Sequence, residues 1–364
     1  MFSHLKIGYV PYLTDLSHPD DRRRFPYFAS CHRVNFEIAN EHNHYDVVLL
    51  PAPSNLSKWL SYKKRHPQTL FIFEMVDSLV YQNDWFNMLF KGIGRFIVKK
   101  EDRPCLSHKK LLIEWLRVAD IVICSNPVVK DEISKWNNNV VFSLDYLEHE
   151  YPLAKNDYSK HGKMKLFWEG QGVVLPQLLS YKSVFERVNS FCELHVVTAF
   201  SYPRFGQFMN RSTESLLEEL PIDTYFHQWD LRKNAALFSE FDCGIIPMNK
   251  KDIYGWHKPA NKLISFWLSG FPAITSATPA YTDVASKTEN DFICSTEDQW
   301  VKKIREVYDM TWEDRRKMAY AKYNFAKEFY SNGIHHQFWL NLFNQVDGLI
   351  HQKPESPYTL RIAG

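Results

Sequence analysis

No run of apolar residues in this chain approaches the roughly 18 needed for a membrane-spanning helix. The amino-terminal stretch, MFSHLKIGYVPYL, has only a brief apolar run before Pro11, without the cationic and hydrophobic regions of a secretory signal. The six cysteines, at 31, 105, 124, 192, 243 and 294, form no C-x-x-C pair. Scattered thiols suit a reducing compartment better than a zinc site or a disulfide framework. Neither sign of charge is in excess: 44 Lys and Arg face 42 Asp and Glu, a net +2, which argues against bulk nucleic-acid binding. Short repeats and low-complexity tracts are also missing. These absences point to a soluble, cytoplasmic protein with no nucleic-acid partner.

What is present is ordinary globular material, with 45% apolar, 24% charged and 15% aromatic residues. A length of 364 residues is long for one core and suggests two domains.

The most informative stretch runs from Asp242 to Ser276. Gly244 to Met248 has strand length, and Leu263, Ile264, Phe266, Trp267 and Leu268 give an apolar helical face. Pro259 suits the first turn of that helix, Gly270 a left-handed cap, and Pro272 stops continuation. Ala273 to Ser276 begins the next strand. Strand, helix and strand make a βαβ unit and imply a parallel sheet, where ligands sit beyond the carboxyl ends of the strands. Here that place is the loop 249 to 258, leading into a helix N-terminus that favours anions. Lys250, Lys251, His257, Lys258 and Lys262 surround it. The pattern reads as a cradle for a phosphorylated ligand, set against the plainer reading of a solvated lysine surface.

Before this stretch, strands are expected at Leu5–Val10, 45–53, 69–80, 121–124 and 137–146, and helices at 54–65, 109–120 and after Pro127. Phe36 to Ala39 is placed on a helix. Such alternation indicates a layered α/β domain over residues 1–150. The polar segment 147–163 reads as a linker, and alternation restarts through 163–330. Residues 331–364 form a helix and tail expected to pack back on the first domain. Residues 85–100, WFNMLFKGIGRFIVKK, interleave aromatics with lysines and arginine. That composition fits peripheral contact with an anionic membrane face as well as it fits a core-facing helix.

The stretches RVADIVICSNPVVKDEI, GIIPM and KPANKLISFWLSGFPAITSATPAY resemble GT-B enzymes of the glycosyltransferase family 4 type, most specifically over 242–281 and more weakly over 118–133. The resemblance implies an α/β protein of GT-B architecture. Two Rossmann-like domains would face across a cleft, acceptor in the first, nucleotide-sugar in the second, with the last helix crossing back. It implies no obligatory metal or other cofactor, in keeping with the lack of a convincing D-x-D motif. The donor would be a UDP- or GDP-sugar and the acceptor a saccharide or lipid-linked glycan of cell-surface polysaccharide biosynthesis. A hexosyltransferase retaining anomeric configuration is expected ahead of an inverting one. One departure matters. The family carries two glutamates eight positions apart, where this sequence has His257 and Ser265.

Without a metal, cations and backbone N–H groups must stabilise the leaving diphosphate. The candidates are Lys258, Lys262 and Arg204, with Asn261 and Ser265 on the helix and Gly170 and Gly172 allowing close approach of backbone. Gln228 and Trp229 would clamp the base by similarity to the family, Trp229 otherwise being core. On the acceptor side Asp77 is the expected base or orienting group, Asp15 competes for that role, and His257 would reach the sugar. A non-hydrolysing nucleotide-sugar epimerase and a non-catalytic nucleotide-sugar-binding protein of the same fold are the alternatives.

Overall fold

Short apolar runs punctuated by turn residues become two parallel sheets, each in its own unit. The computed structural model describes residues 2–76, 101–102, 107–204, 209–230, 234–289 and 292–352. Asp77, the basic aromatic segment 85–100 and the tail from 353 lie outside the described residues, as do the side chains of residues 203–204, 209–210, 234–235 and 352. One unit comprises Met1–Tyr146, His257–Pro259 and Asn332–Gly364; the other comprises Leu147–Trp256 and Ala260–Ser331.

In the first unit β1 (Ile7–Tyr9), β2 (Glu37–Ile38), β3 (Val47–Pro51), β4 (Leu70–Met75), β5 (Ile121–Cys124) and β6 (Val140–Phe142) lie in the order β2-β1-β3-β4-β5-β6. Every pairing is parallel. Both faces are covered, which is why the strands read as continuous apolar runs. Val48, Leu50, Phe71 and Phe73 face one layer with the helices Leu56–Arg65 and His108–Val118. Val47, Leu49, Leu70 and Ile72 face the other, with the helix Phe25–His32 and Trp339, Phe343 and Val346 of the helix Asn332–Gln352. Helix starts follow side-chain chemistry: Asn55, Ser107 and Asn126 each accept a first-turn N–H.

The second unit has β7 (Met164–Glu169), β8 (Cys192–Thr198), the antiparallel hairpin β9 (Ser201–Arg204) and β10 (Met209–Ser212), then β11 (Thr224–Gln228), β12 (Cys243–Ile246), β13 (Ala273–Ser276) and β14 (Ile293–Cys294). Apart from the hairpin, these strands form a parallel sheet ordered β11-β8-β7-β12-β13-β14. The chain builds outward from β7 in one direction, then returns to β12 and builds in the other. β7 and β12 therefore flank the switch point, where open α/β sheets hold their ligands. An aromatic layer of Phe167, Phe238, Phe241, Phe266 and Phe271 fills one face. Gly244 makes room for it, since a Cβ there would lie 2.5 Å from the Phe266 ring. Gly270 has a φ of 67° and Phe271 N–H donates to Phe266 O at 2.9 Å, the expected left-handed helix end.

Three expectations need correction, and one element was not foreseen. Phe36–Ala39 contains an edge strand, not a helix: Glu37 and Ile38 pair with Gly8 and Tyr9, and Phe36 packs edge-on against Tyr9. The expected linker 147–163 is docked on the second unit. Lys155 N–H donates to Ser269 O, Tyr158 OH to Gly270 O, and the Lys155 ammonium to Phe241 O at 2.6 Å. Its polar composition hides the apolar bodies of tyrosine and lysine, and burial pushes the Lys155 pKa down to about 8. Pro259 precedes the helix Asn261–Leu268, whose N-cap is Ala260. The hairpin β9–β10 has no counterpart in the sequence reading, which names Arg204 only as a candidate cation for the diphosphate.

Candidate functional site

The helix Asn261–Leu268 begins without a capping side chain, because Ala260 has no acceptor to offer its first turn. Apolar residues on most of its surface bury it from Leu263 to Leu268, leaving Asn261 and Lys262 half-buried at the start. The Lys262 ammonium reaches across the switch point and donates to the backbone carbonyl of Glu169, the last residue of β7. It also lies 5.6 Å from the Trp168 ring centroid. The Glu169 carboxylate in turn accepts the Trp229 indole N–H at 3.2 Å. Trp229 follows β11 and is tied there by its own N–H to Thr198 O at 2.9 Å. The residue is 37% exposed, so it is not a core residue.

The floor beyond β12 is held by polar contacts. Tyr181 OH donates to Met248 O at 2.9 Å and lies 2.7 Å from Ser276 Oγ, which accepts Met248 N–H at 2.8 Å. Asp252 accepts Gly255 N–H and the Gln177 side-chain amide. The 249–258 loop is thus braced and carries a short helix, Ile253–Trp256.

Lys262, Asn261, Trp229 and Gln228 lie at strand carboxyl ends or the helix start of one sheet. Gln228 is exposed as the last residue of β11. Ser265 behaves otherwise: it is only 3% exposed and its hydroxyl donates to Lys262 O at 2.8 Å. Gly170 and Gly172 are explained by packing, since a Cβ would meet the Trp168 ring at 2.6 Å or Tyr202 Cβ at 2.5 Å. Arg204 ends β9, opposite Met209 of β10. His257 and Lys258 belong to the first unit, where Asn126 donates its side-chain N–H to His257 O at 2.7 Å. Asp15 is solvent-exposed in a turn and accepts Ser17 N–H, and this hydrogen bond holds its carboxyl below the usual range.

A buried charge cluster escaped the sequence reading. At the carboxyl ends of β4 and β5 in the first unit, Arg24 donates to Asp145 at 2.8 and 2.9 Å and to Ser125 Oγ at 2.6 Å. Glu74 sits 3.6 Å from the same guanidinium with neither carboxylate oxygen hydrogen-bonded, and burial pushes its pKa up to about 7. Asp21 accepts Tyr9 OH and the Tyr12 and Leu13 N–H groups. The participants are scattered from 21 to 145, so only buried acidic and basic residues amid apolar runs hinted at them. Among the described residues, no three His, Cys, Asp or Glu side chains converge to hold a metal ion, and no helix is long and apolar enough to cross a membrane.

No protein-family model matches the sequence, and no curated protein matches it at the sequence level. Solved structures do match in shape. HepE of Anabaena, in complex with UDP and glucose, superposes with a TM-score of 0.63 at 10% identity, covering 94% of this chain and 100% of that one. WaaG, a glycosyltransferase involved in lipopolysaccharide biosynthesis, gives 0.58 at 10% identity over 95% and 100%. Sucrose-phosphate synthase of Thermosynechococcus elongatus gives 0.57 at 14% identity over 84% and 74%. Two doubly wound six-stranded sheets and a long carboxyl-terminal helix make this the GT-B fold.

Proposed function

We propose that this chain is a glycosyltransferase that takes its sugar from a nucleoside-diphosphate donor seated on the second unit. The observation behind this reading is the Lys262 ammonium, placed at the carboxyl end of β7 beside an uncapped helix start. Cation, helix dipole and backbone N–H groups there suit a diphosphate. Breaking the sugar–phosphate bond leaves negative charge on the diphosphate. A fixed ammonium stabilises that charge more in the transition state than in the ground state. Removal of one such donor costs roughly 3 kcal/mol, about a hundredfold in rate.

The donor is a UDP- or GDP-sugar, with no metal required, and the sugar passes to a saccharide or lipid-linked acceptor in cell-surface polysaccharide synthesis. Solved structures of the same fold that act in lipopolysaccharide biosynthesis or hold UDP and glucose support this reading. Asp77 orients or deprotonates the acceptor hydroxyl, transfer retains the anomeric configuration, and residues 85–100 rest on the inner membrane face. Asp15 is the weaker candidate for the acceptor role because a turn already uses its carboxylate.

The second reading is a non-catalytic nucleotide-sugar-binding protein. It draws on Ser265, which replaces a carboxylate and has its hydroxyl engaged within the helix. Turnover separates the two. Incubation with a panel of UDP- and GDP-sugars is expected to release nucleoside diphosphate slowly, and Lys262→Ala to slow that release about a hundredfold. Binding without release under any acceptor favours the second reading.

A further inference from the structure

In the first unit the helix Asn332–Gln352 packs its Trp339 and Phe343 on Phe25 and Phe28 of the helix Phe25–His32. At the edge of that contact two half-buried histidines meet, one from each helix. His32 Nε2 lies 3.0 Å from His336 Nδ1, and Tyr146 OH lies 3.2 Å from the same Nδ1. The neighbouring Cys31 is an exposed free thiol.

A ring nitrogen of neutral imidazole carries either one proton or one lone pair, directed straight out from the ring. A straight N–H···N bond of 3.0 Å, with each nitrogen about 1.15 Å from its ring centroid, would hold the centroids about 5.3 Å apart. The second unit contains such a pair: His195 Nδ1 and His227 Nε2 are 2.9 Å apart, with centroids at 5.2 Å. The centroids of His32 and His336 are only 4.6 Å apart, with the rings inclined at 72°. Their two nitrogens therefore do not point at each other. Shared equally, the bend aims both at one point beside them.

That arrangement has a chemical counterpart. Two metal–nitrogen bonds of about 2.1 Å meeting at a right angle put the nitrogens about 3.0 Å apart and the centroids about 4.6 Å apart. Both values are the ones observed. A tetrahedral angle would require about 3.4 and 5.3 Å. Imidazole suits copper, nickel and zinc, and right-angled nitrogen and oxygen shells are those of Cu²⁺ and Ni²⁺.

We propose that His32 and His336 form a two-histidine site for a divalent transition metal of the Cu²⁺ or Ni²⁺ kind, which ties the last helix to the helix Phe25–His32. The ion replaces one bent hydrogen bond with two bonds, and water and the nearby Tyr146 hydroxyl complete its shell. The site lies within one unit and does not depend on the donor reading.

The test is calorimetric titration of the full chain with nickel chloride, with magnesium chloride as the hard-cation control. The parent is expected to bind one Ni²⁺ saturably and no Mg²⁺ at the same concentrations. His32→Gln and His336→Gln each remove one ring nitrogen, and each is expected to weaken that binding about tenfold or more. His195→Gln is expected to leave it unchanged. Amide hydrogen exchange in the helix Asn332–Gln352 is expected to slow with Ni²⁺ in the parent and in neither histidine variant. If a glutamine variant does not fold, the electron paramagnetic resonance spectrum of the parent with one equivalent of Cu²⁺ decides. Two coordinating ring nitrogens support the site, and one or none overturns it. Absence of saturable Ni²⁺ binding by the parent overturns the proposal. So does affinity unchanged in either variant, Mg²⁺ binding of equal strength, or a site that Cys31→Ser removes while both histidine variants keep it.

Discussion

Replacing Glu74 by glutamine is expected to stabilise the first unit most at and above neutral pH and to do little below about pH 4.5. Glu74 lies in β4 with 0% of its surface exposed and neither oxygen hydrogen-bonded. The nearest cation is the Arg24 guanidinium at 3.6 Å, already committed to Asp145 and Ser125 at shorter range. Desolvation dominates and pushes the carboxyl from 4.5 up to about 7. Because the folded pKa is raised, the folded protein holds a proton that the unfolded chain gives up between those two values. Stability is therefore fully present below about pH 4.5, falls through that window, and stays low above pH 7. A shift of that size corresponds to about 3 kcal/mol. Glutamine is neutral at every pH and escapes the penalty. The gain of Glu74→Gln over the parent is thus expected to be about 2–3 kcal/mol larger at pH 8 than at pH 5. Hydrogen exchange of the β4 amides at the two pH values reports this unit without assuming that the whole chain unfolds in one step. A gain that is the same at both pH values, or a variant less stable than the parent at pH 8, would refute the reasoning.

Three further outcomes follow from packing and hydrogen bonding. Gly244→Ala places a methyl 2.5 Å from the Phe266 ring and is expected to cost the second unit about 1–3 kcal/mol in urea unfolding. Gly270→Ala forces a side chain into the left-handed region against Leu153, and a loss of about 1 kcal/mol or more is expected by the same assay. Ser265→Ala removes a hydroxyl that only bonds within its own helix, so nucleotide affinity is expected to change less than twofold in calorimetry; a tenfold loss would return Ser265 to the binding site.

The β12–helix–β13 unit was legible because it is local: an apolar run, a five-residue apolar face, and Gly270 with Pro272 as punctuation. Its strand and cap were found within a residue or two. Phe36 to Ala39 was not legible, since four residues carry no decisive period and the pairing partner Gly8–Tyr9 lies in a different part of the chain. Residues 147–163 misled through composition, as Lys155 and Tyr158 bury long apolar stems under polar names. In the site, Lys262 was found because it lies in the first turn of a recognisable helix. Glu169 was passed over because the glycines beside it looked like a phosphate loop, whereas packing against Trp168 and Tyr202 accounts for both of them. The Arg24–Glu74–Asp145 cluster joins residues up to 121 apart in sequence, a relation no local pattern contains.

The account stands on a diphosphate seated at the start of the helix Asn261–Leu268 beside Lys262. Titration of UDP and GDP into the parent and into Lys262→Ala by calorimetry measures that directly. Saturable binding of at least one nucleotide by the parent, weakened about tenfold or more in the variant, is the expected result. Equal affinity in the two proteins, or no binding of either nucleotide by the parent, would contradict it.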